Sequence, residues 1–226
     1  MSTQTTTKSV RVWDLPLRLF HWLLLAAVVT AFVAIQTNNI ELHAKAGYAV
    51  LALLIFRIVW GFVGGTHARF CSFIKGPAAI KAYLANAKAG KHDPSQTGHN
   101  ALGALSVVGL IGVLLLQVTT GLFNHSDDFF FDAPLYKFVS SAVAGNLAEL
   151  HETLPGLILA LIGLHIAAIL FYRFVKRDNL VKPMITGSKD IPAEATTPDA
   201  KGGNPLLGTV VLAIAVAIVW YITTQV

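Results

Sequence analysis

Charged residues are scarce in this sequence of 226 residues. They make up 13% of the chain, about half the share found in soluble domains. Hydrophobic residues make up 54%, which argues against a soluble globular protein and indicates an integral membrane protein. The apolar runs are long and lack the alternating ten-residue pattern of barrel strands. Helices are the other structure that spans a bilayer, so we predict an all-α membrane fold.

Cysteine is almost missing, since Cys71 is the single one in the chain. One thiol cannot form an intramolecular disulfide, a four-cysteine metal site or the C-x-x-C-H attachment of a c-type haem. Any redox cofactor is therefore expected to be held without covalent bonds to sulfur. A cleavable signal peptide is not expected, because no small-residue cleavage site follows the first apolar run.

Five apolar stretches have about the 20-residue length that crosses a bilayer. They cover residues 15–36, 43–64, 101–123, 152–174 and 206–221. Of the lysines and arginines outside these spans or at their ends, fourteen fall on one side and two on the other. The positive-inside rule then predicts a multi-pass membrane protein with a cytoplasmic N-terminus and a C-terminus on the opposite side of the membrane. Because the positive charge follows topology, no nucleic-acid partner is expected.

The same pattern divides the chain into four parts. Residues 1–9 form a cytoplasmic tail and residues 10–177 form a four-helix transmembrane bundle. Residues 178–205 are rich in proline, glycine, threonine and charge, which predicts a cytoplasmic linker. Residues 206–226 form a fifth, C-terminal transmembrane helix without histidine.

Four histidines lie within the spans or at their ends. His151 and His165 are fourteen residues apart on the fourth span, so they leave nearly the same helix face about 21 Å apart. His21 lies at a depth near that of His165, and His43 opens its span level with His151. Neutral imidazoles on facing helices suit an iron porphyrin. We therefore predict two haem b groups, each between two histidines, with one near either membrane surface.

Two arginines and a fifth histidine accompany these pairs. Arg57 follows His43 by fourteen residues, and a guanidinium inside a membrane needs an anionic partner such as a haem propionate. Snorkelling is the alternative role for Arg57. Arg18, one turn before His21, is a second candidate for a propionate. His99 opens the third span as a helix-end residue or as a contact to a quinone or propionate.

Other functions stay open at this point. Zinc fits poorly, because its sites gather three or four close protein ligands. A transporter or assembly scaffold whose histidines relay protons is the alternative from another class, and it predicts a protein without haem absorbance. The remaining histidines, His67, His92 and His125, lie in loops or at span ends and are expected to be solvated.

Four segments resemble a known family. They are RVWDLPLRLFHWLL, LHAKAGYAVLALLIFRIVWGFVG, GHNALGALSV and LHETLPGLILALIGLH. Together they resemble the bacterial cytochrome b561 family over about residues 10–187, and most closely the b-type cytochrome subunit of nickel–iron hydrogenases. The resemblance implies that four histidines ligate two b haems. They fall on His21, His43, His151 and His165, with His21 paired to His165 and His43 to His151.

The resemblance also implies a location in the bacterial inner membrane, with the C-terminus in the periplasm, and a function. Family members exchange electrons between membrane quinone and a second redox protein, here a periplasmic hydrogenase-type subunit or a c-type cytochrome. A stand-alone quinone-linked oxidoreductase acting on a small molecule such as superoxide is the alternative. The fifth span departs from the family's four-helix pattern. A bound quinone and a homodimer stay open.

Overall fold

The computed structural model describes residues 6–91, 95–127 and 130–225. In these ranges, five helices are long and apolar enough to cross a membrane. The helices are α1 Leu15–Gln36, α2 Ile40–Val63, α3 Phe70–Phe73, α4 Pro77–Lys88, α5 Ala101–Gly121, α6 Ser141–Phe174, α7 Val181–Thr186 and α8 Pro205–Thr224. The strands are β1 Thr7–Arg11, β2 His125–Ser126, β3 Phe131–Asp132 and β4 Ser188–Pro192. The five spanning helices α1, α2, α5, α6 and α8 confirm the predicted helical membrane fold.

The fourth span differs from its prediction at its N-terminal end. Helix α6 begins at Ser141 and has 34 residues, whereas hydropathy places its start at residue 152. Hydropathy detects only the apolar part of a helix, and residues 141–151 are more polar than the stretch that follows. At 1.5 Å per residue the helix is about 51 Å long, well beyond the roughly 30 Å hydrocarbon layer. His151 therefore lies inside a helix and does not open one.

Two compact units divide the chain, and each takes parts of several helices. The first unit comprises Met1–Arg18, Val59–Val108 and Gly163–Gly208. The second unit comprises Leu19–Ile58, Gly109–Ile162 and Thr209–Val226.

A buried carboxylate organises the first unit. Asp14 is 5% exposed and precedes α1, where its Oδ1 accepts the backbone N–H of Leu17 at 2.8 Å. The same oxygen accepts the indole N–H of Trp60 at 3.1 Å, and Oδ2 accepts the N–H of Gly65 at 3.1 Å. Asp14 therefore caps one helix and joins it to the C-terminal end of α2.

The two ends of the first unit's sequence form a small antiparallel sheet. Strand β1 pairs with β4, so that Thr7 lies opposite Pro192 and Arg11 lies opposite Ser188. The predicted tail and linker thus carry β1, α7 and β4, three elements that their composition does not indicate. Strand pairing depends on a distant partner, and local composition does not report it.

The second unit is packed by apolar side chains from all five spanning helices. Its main cluster consists of Val28, Val50, Leu54, Leu114 and Ile158. A second cluster brings Val219 of α8 together with Leu51, Ala52 and Leu122. The fifth transmembrane helix therefore shares a core with α2.

Candidate haem-binding site

Two imidazoles face each other in the second unit. The ring centroids of His43 in α2 and His151 in α6 are 6.0 Å apart, and the ring planes are at 87°. Two bonds of about 2.0–2.1 Å from imidazole nitrogens to one metal ion put the ring centroids roughly 6 Å apart. The spacing of this pair therefore suits one metal ion bound between the rings.

Each of these imidazoles is held by a backbone carbonyl. Nδ1 of His43 lies 2.9 Å from the carbonyl oxygen of Ala31, and Nδ1 of His151 lies 2.9 Å from the carbonyl oxygen of Gln117. A carbonyl oxygen only accepts, so Nδ1 carries the proton in both rings. Nε2 then carries the lone pair of each ring, which is the usual arrangement in histidines that bind a metal ion.

A cavity of about 480 Å³ adjoins both rings. Ligand pockets range from roughly 300 to 1,000 Å³. The cavity is lined mostly by apolar side chains, among them Phe32, Leu114 and Ile158, beside His43 and His151. Such a lining suits a flat, largely apolar group.

A glycine lets α5 approach the His151 ring. A Cβ atom on Gly121 would lie 2.8 Å from Cε1 and 3.1 Å from Nδ1 of His151, closer than side-chain packing allows. The last position of α5 must therefore lack a side chain for this ring orientation.

The donor set fits haem. Among the described residues, no cluster of three or more His, Cys, Asp or Glu side chains is placed to hold a metal ion. A porphyrin supplies four nitrogens to its iron and requires only two axial ligands, which a pair of imidazoles provides. The spacing, the Nδ1 contacts and the cavity all fit such a group.

The other predicted pair is divided between the units. His21 of α1 belongs to the second unit, where its ring packs edge-on against Trp22 with centroids 5.0 Å apart. His165 of α6 belongs to the first unit. Both are half-buried, and their pairing stays a prediction.

The predicted arginines differ in their surroundings. Arg57 is 2% exposed within α2 of the second unit. In the first unit, a terminal nitrogen of Arg18 donates to the carbonyl oxygen of Ile185. Its Nε is buried, and no described residue accepts a hydrogen bond from it. A propionate contact stays a prediction for both side chains.

Aromatic packing surrounds the histidine that precedes α5. The His99 ring lies 4.8 Å from Trp13 and 4.6 Å from Phe73 between centroids. Nearby, His67 contacts Trp13 at 6.0 Å and is half-buried, so the expectation that it is solvated is wrong. Burial lowers the pKa of His67. A quinone or propionate contact of His99 stays untested, and His92 lies outside the described residues.

The third loop histidine, His125, is exposed as expected. Its Nδ1 lies 2.5 Å from Asp132 and its Nε2 lies 3.2 Å from Asp127. Its ring stacks on Tyr136 with centroids 4.6 Å apart. The hydrogen bond to Asp132 raises the pKa of His125 above its ordinary value, and the charge of Asp127 adds to this.

Three residues at the site are not identified as ligands or contacts by the sequence. They are Gly121, Pro155 and the backbone carbonyl of Gln117. For the side chain of Gln117, the sequence suggests only a hydrogen bond between helices or a quinone contact. Pro155 has a visible signal, because proline inside an apolar run four residues after a histidine removes the hydrogen bond to that histidine's carbonyl. The other two depend on how close two helices come, which one sequence does not give.

The five spanning helices define a class, namely a helical membrane protein, and its facing imidazoles suit a metal-bound group. The sequence matches the family described as Prokaryotic cytochrome b561 over residues 12–187, and the chain belongs to this family. No curated protein and no solved structure matches it. The protein is therefore a multi-pass membrane b-type cytochrome that binds b-type haem and takes part in electron transfer.

Proposed function

We propose that the protein is a dihaem cytochrome that passes electrons between the quinone pool and a periplasmic redox partner. The partner is a hydrogenase-type subunit or a c-type cytochrome. His43 with His151 holds one haem and His21 with His165 holds the other. The observation that supports this most directly is the facing pair of His43 and His151, each with Nδ1 held by a carbonyl oxygen.

The residues of the chain have separate tasks in this mechanism. A bound haem supplies a one-electron couple. If both imidazoles of a pair bound its iron, that haem would have no coordination position for oxygen or another small molecule. The apolar cavity lining excludes water and thereby influences the reduction potential. The guanidinium groups of Arg57 and Arg18 balance the charge of propionates.

The positive charges give the orientation of the chain in the membrane, and hence the side on which each ligand pair lies. With the N-terminus in the cytoplasm, His43 and His151 lie near the periplasmic surface and form the outer ligand pair. His21 and His165 form the inner ligand pair. Residues 10–177 carry both pairs, residues 178–205 connect them to the added helix, and a quinone and a homodimer belong to the same proposal.

Haem content tests the proposal. We expect two b haems per purified chain by haem extraction and by reduced-minus-oxidised spectra. His165→Ala should remove the inner haem, and His43→Ala should remove the outer one. A folded protein without haem, or one that keeps both haems in each variant, would contradict it.

Co-purification tests the proposed partner. A redox subunit that co-purifies with the chain supports the electron-transfer protein, whereas a stand-alone oxidoreductase should turn over its substrate without one.

A further inference from the structure

Helix α6 loses one of its own hydrogen bonds next to the outer ligand. Pro155 lies inside the helix and has no backbone N–H. In an α-helix, the group that it lacks is the donor to the carbonyl of the fourth residue before it, which is His151. The carbonyl oxygen of His151 therefore needs another donor, and a bilayer supplies no water for that purpose.

Gln117 of α5 supplies this donor. Its side-chain Nε2 lies 3.0 Å from the carbonyl oxygen of His151. Its Oε1 is buried, and no described residue donates to it, so the amide is oriented by its NH₂ group alone. The same Nε2 lies 3.2 Å from each ring nitrogen of His151. Because it favours neither ring nitrogen, we take the shorter contact to the carbonyl as the hydrogen bond.

The contact between these two residues is reciprocal. The backbone carbonyl of Gln117 accepts from Nδ1 of His151, while the side chain of Gln117 donates to the backbone of His151. One residue on α5 thus fixes both the main chain and the ring of a residue on α6. Two contacts at separate points determine the direction and the rotation of the ring, and one contact alone does not.

We propose that Gln117 is the positioning residue of the outer haem ligand, and that Pro155 creates the acceptor through which it acts. This inference rests on the proposed function, in which His151 binds iron. Gln117 does not touch the iron. It holds the His151 ring opposite that of His43, and it compensates for a helix hydrogen bond that the sequence itself removes.

A pair of substitutions tests this mechanism. Gln117→Met keeps the side-chain length but cannot donate. Loss of a residue that hydrogen-bonds to a metal ligand lowers metal affinity by about 10- to 100-fold. We therefore expect the transfer of haem from the outer pair to apomyoglobin to become faster by about that factor. In Gln117→Met/Pro155→Ala, the new N–H of residue 155 can donate to His151. We expect haem retention to recover to near the wild-type value.

Spectroscopy separates positioning from a general loss of stability. The EPR spectrum of the ferric low-spin state depends on the angle between the two axial imidazole planes, which is 87° between these rings. We expect Gln117→Met to change the outer signal, the double variant to restore it, and the inner signal to stay constant as an internal measure of folding. Gln117→Asn, whose amide reaches less far, should give an intermediate result.

Thr119→Val is the matched control, because Thr119 is a polar residue of the same helix, two positions from Gln117. It should change neither haem retention nor the spectrum. Unchanged retention and spectrum in Gln117→Met, with both haems bound, would overturn this inference alone. A loss that Pro155→Ala does not reverse would also overturn it. Two haems remaining in His151→Ala would instead overturn the proposed function.

Discussion

The two units of the chain satisfy their polar groups in different ways. In the first unit, two buried polar side chains, Asp14 and Lys189, find their partners within the protein. Asp14 accepts three N–H groups, and Lys189 donates to Asp178 at 2.8 Å and to the carbonyl oxygen of Gln96 at 3.1 Å. In the second unit, Nδ1 of His43 and Nδ1 of His151 each contact a backbone carbonyl oxygen, and both rings line a cavity.

This difference separates structural polar residues from functional ones. A buried group whose hydrogen bonds are complete contributes to stability and requires nothing further. A buried group with one atom reserved beside a cavity is suited to a ligand. Substitution of Asp14 or Lys189 in the first unit should therefore affect stability, and substitutions at the second unit's cavity should affect haem.

The largest expected effect is the loss of a haem. His151→Ala removes a proposed haem ligand, so we expect one of the two proposed haems to disappear from the purified protein. Haem extraction per chain measures this. His67→Ala, in the first unit, should leave the haem content unchanged, since the His67 ring contacts Trp13. Loss of haem from His67→Ala would show that the ligand pairs are wrongly chosen.

The next effect concerns stability and should leave the haem sites intact. Asp14→Ala leaves three N–H groups without their charged acceptor, and we expect a loss of about 3 kcal/mol in the free energy of unfolding. Unfolding in detergent measures it. The matched control is Asp190→Ala, which breaks an exposed ion pair to Lys182 and should cost less than about 1 kcal/mol. Equal effects of both substitutions would contradict the structural role of Asp14.

A smaller effect on haem is expected from the close approach of α5. Gly121→Ala adds a methyl group 2.8 Å from Cε1 of His151, which forces the ring to move. We expect outer haem affinity to fall by about tenfold, in the range for residues that orient a ligand. Gly112→Ala is the control in the same helix, because a Cβ at Gly112 would meet no described atom within 4 Å beyond its chain neighbours and its own helix backbone. Equal haem affinities in the two variants would argue against the contact.

The smallest effect is a pH dependence of stability in the hairpin of the second unit, in which β2 pairs antiparallel with β3. Asp132 raises the pKa of His125, so this pair contributes to hairpin stability below the ordinary pKa of histidine. The contribution disappears as the pH rises through the raised value. NMR titration of His125 should show a midpoint above 6.5, and Asp132→Asn should lower it. An unchanged midpoint in Asp132→Asn would remove Asp132 as the cause.

The sequence predicts the parts of the fold that local chemistry controls. Long apolar runs specify spanning helices because a bilayer leaves the backbone no other partner. The depths of His43 and His151 along their helices place these two residues level with each other, and their rings do meet. Their role as ligands stays a prediction.

Features that depend on distant partners are not predictable in the same way. The N-terminal extension of α6 escapes hydropathy because it is polar, and the strands β1 and β4 escape because each needs the other. Gly121 and Gln117 act through the distance between two helices. Only Pro155 carries a local signal, since its missing N–H follows from the residue type alone.

The small sheet has a consequence for how the chain is made. Lys8 donates to the carbonyl oxygen of Ala195, a contact that spans 187 positions, and β1 has no strand to pair with until β4 has left the ribosome. The first strand must therefore wait during synthesis while four membrane helices are inserted. Closure of so long a loop is slow compared with local helix formation. The sheet therefore forms only after most of the chain has been made. A chain that stops before residue 188 would leave β1 exposed without its partner strand.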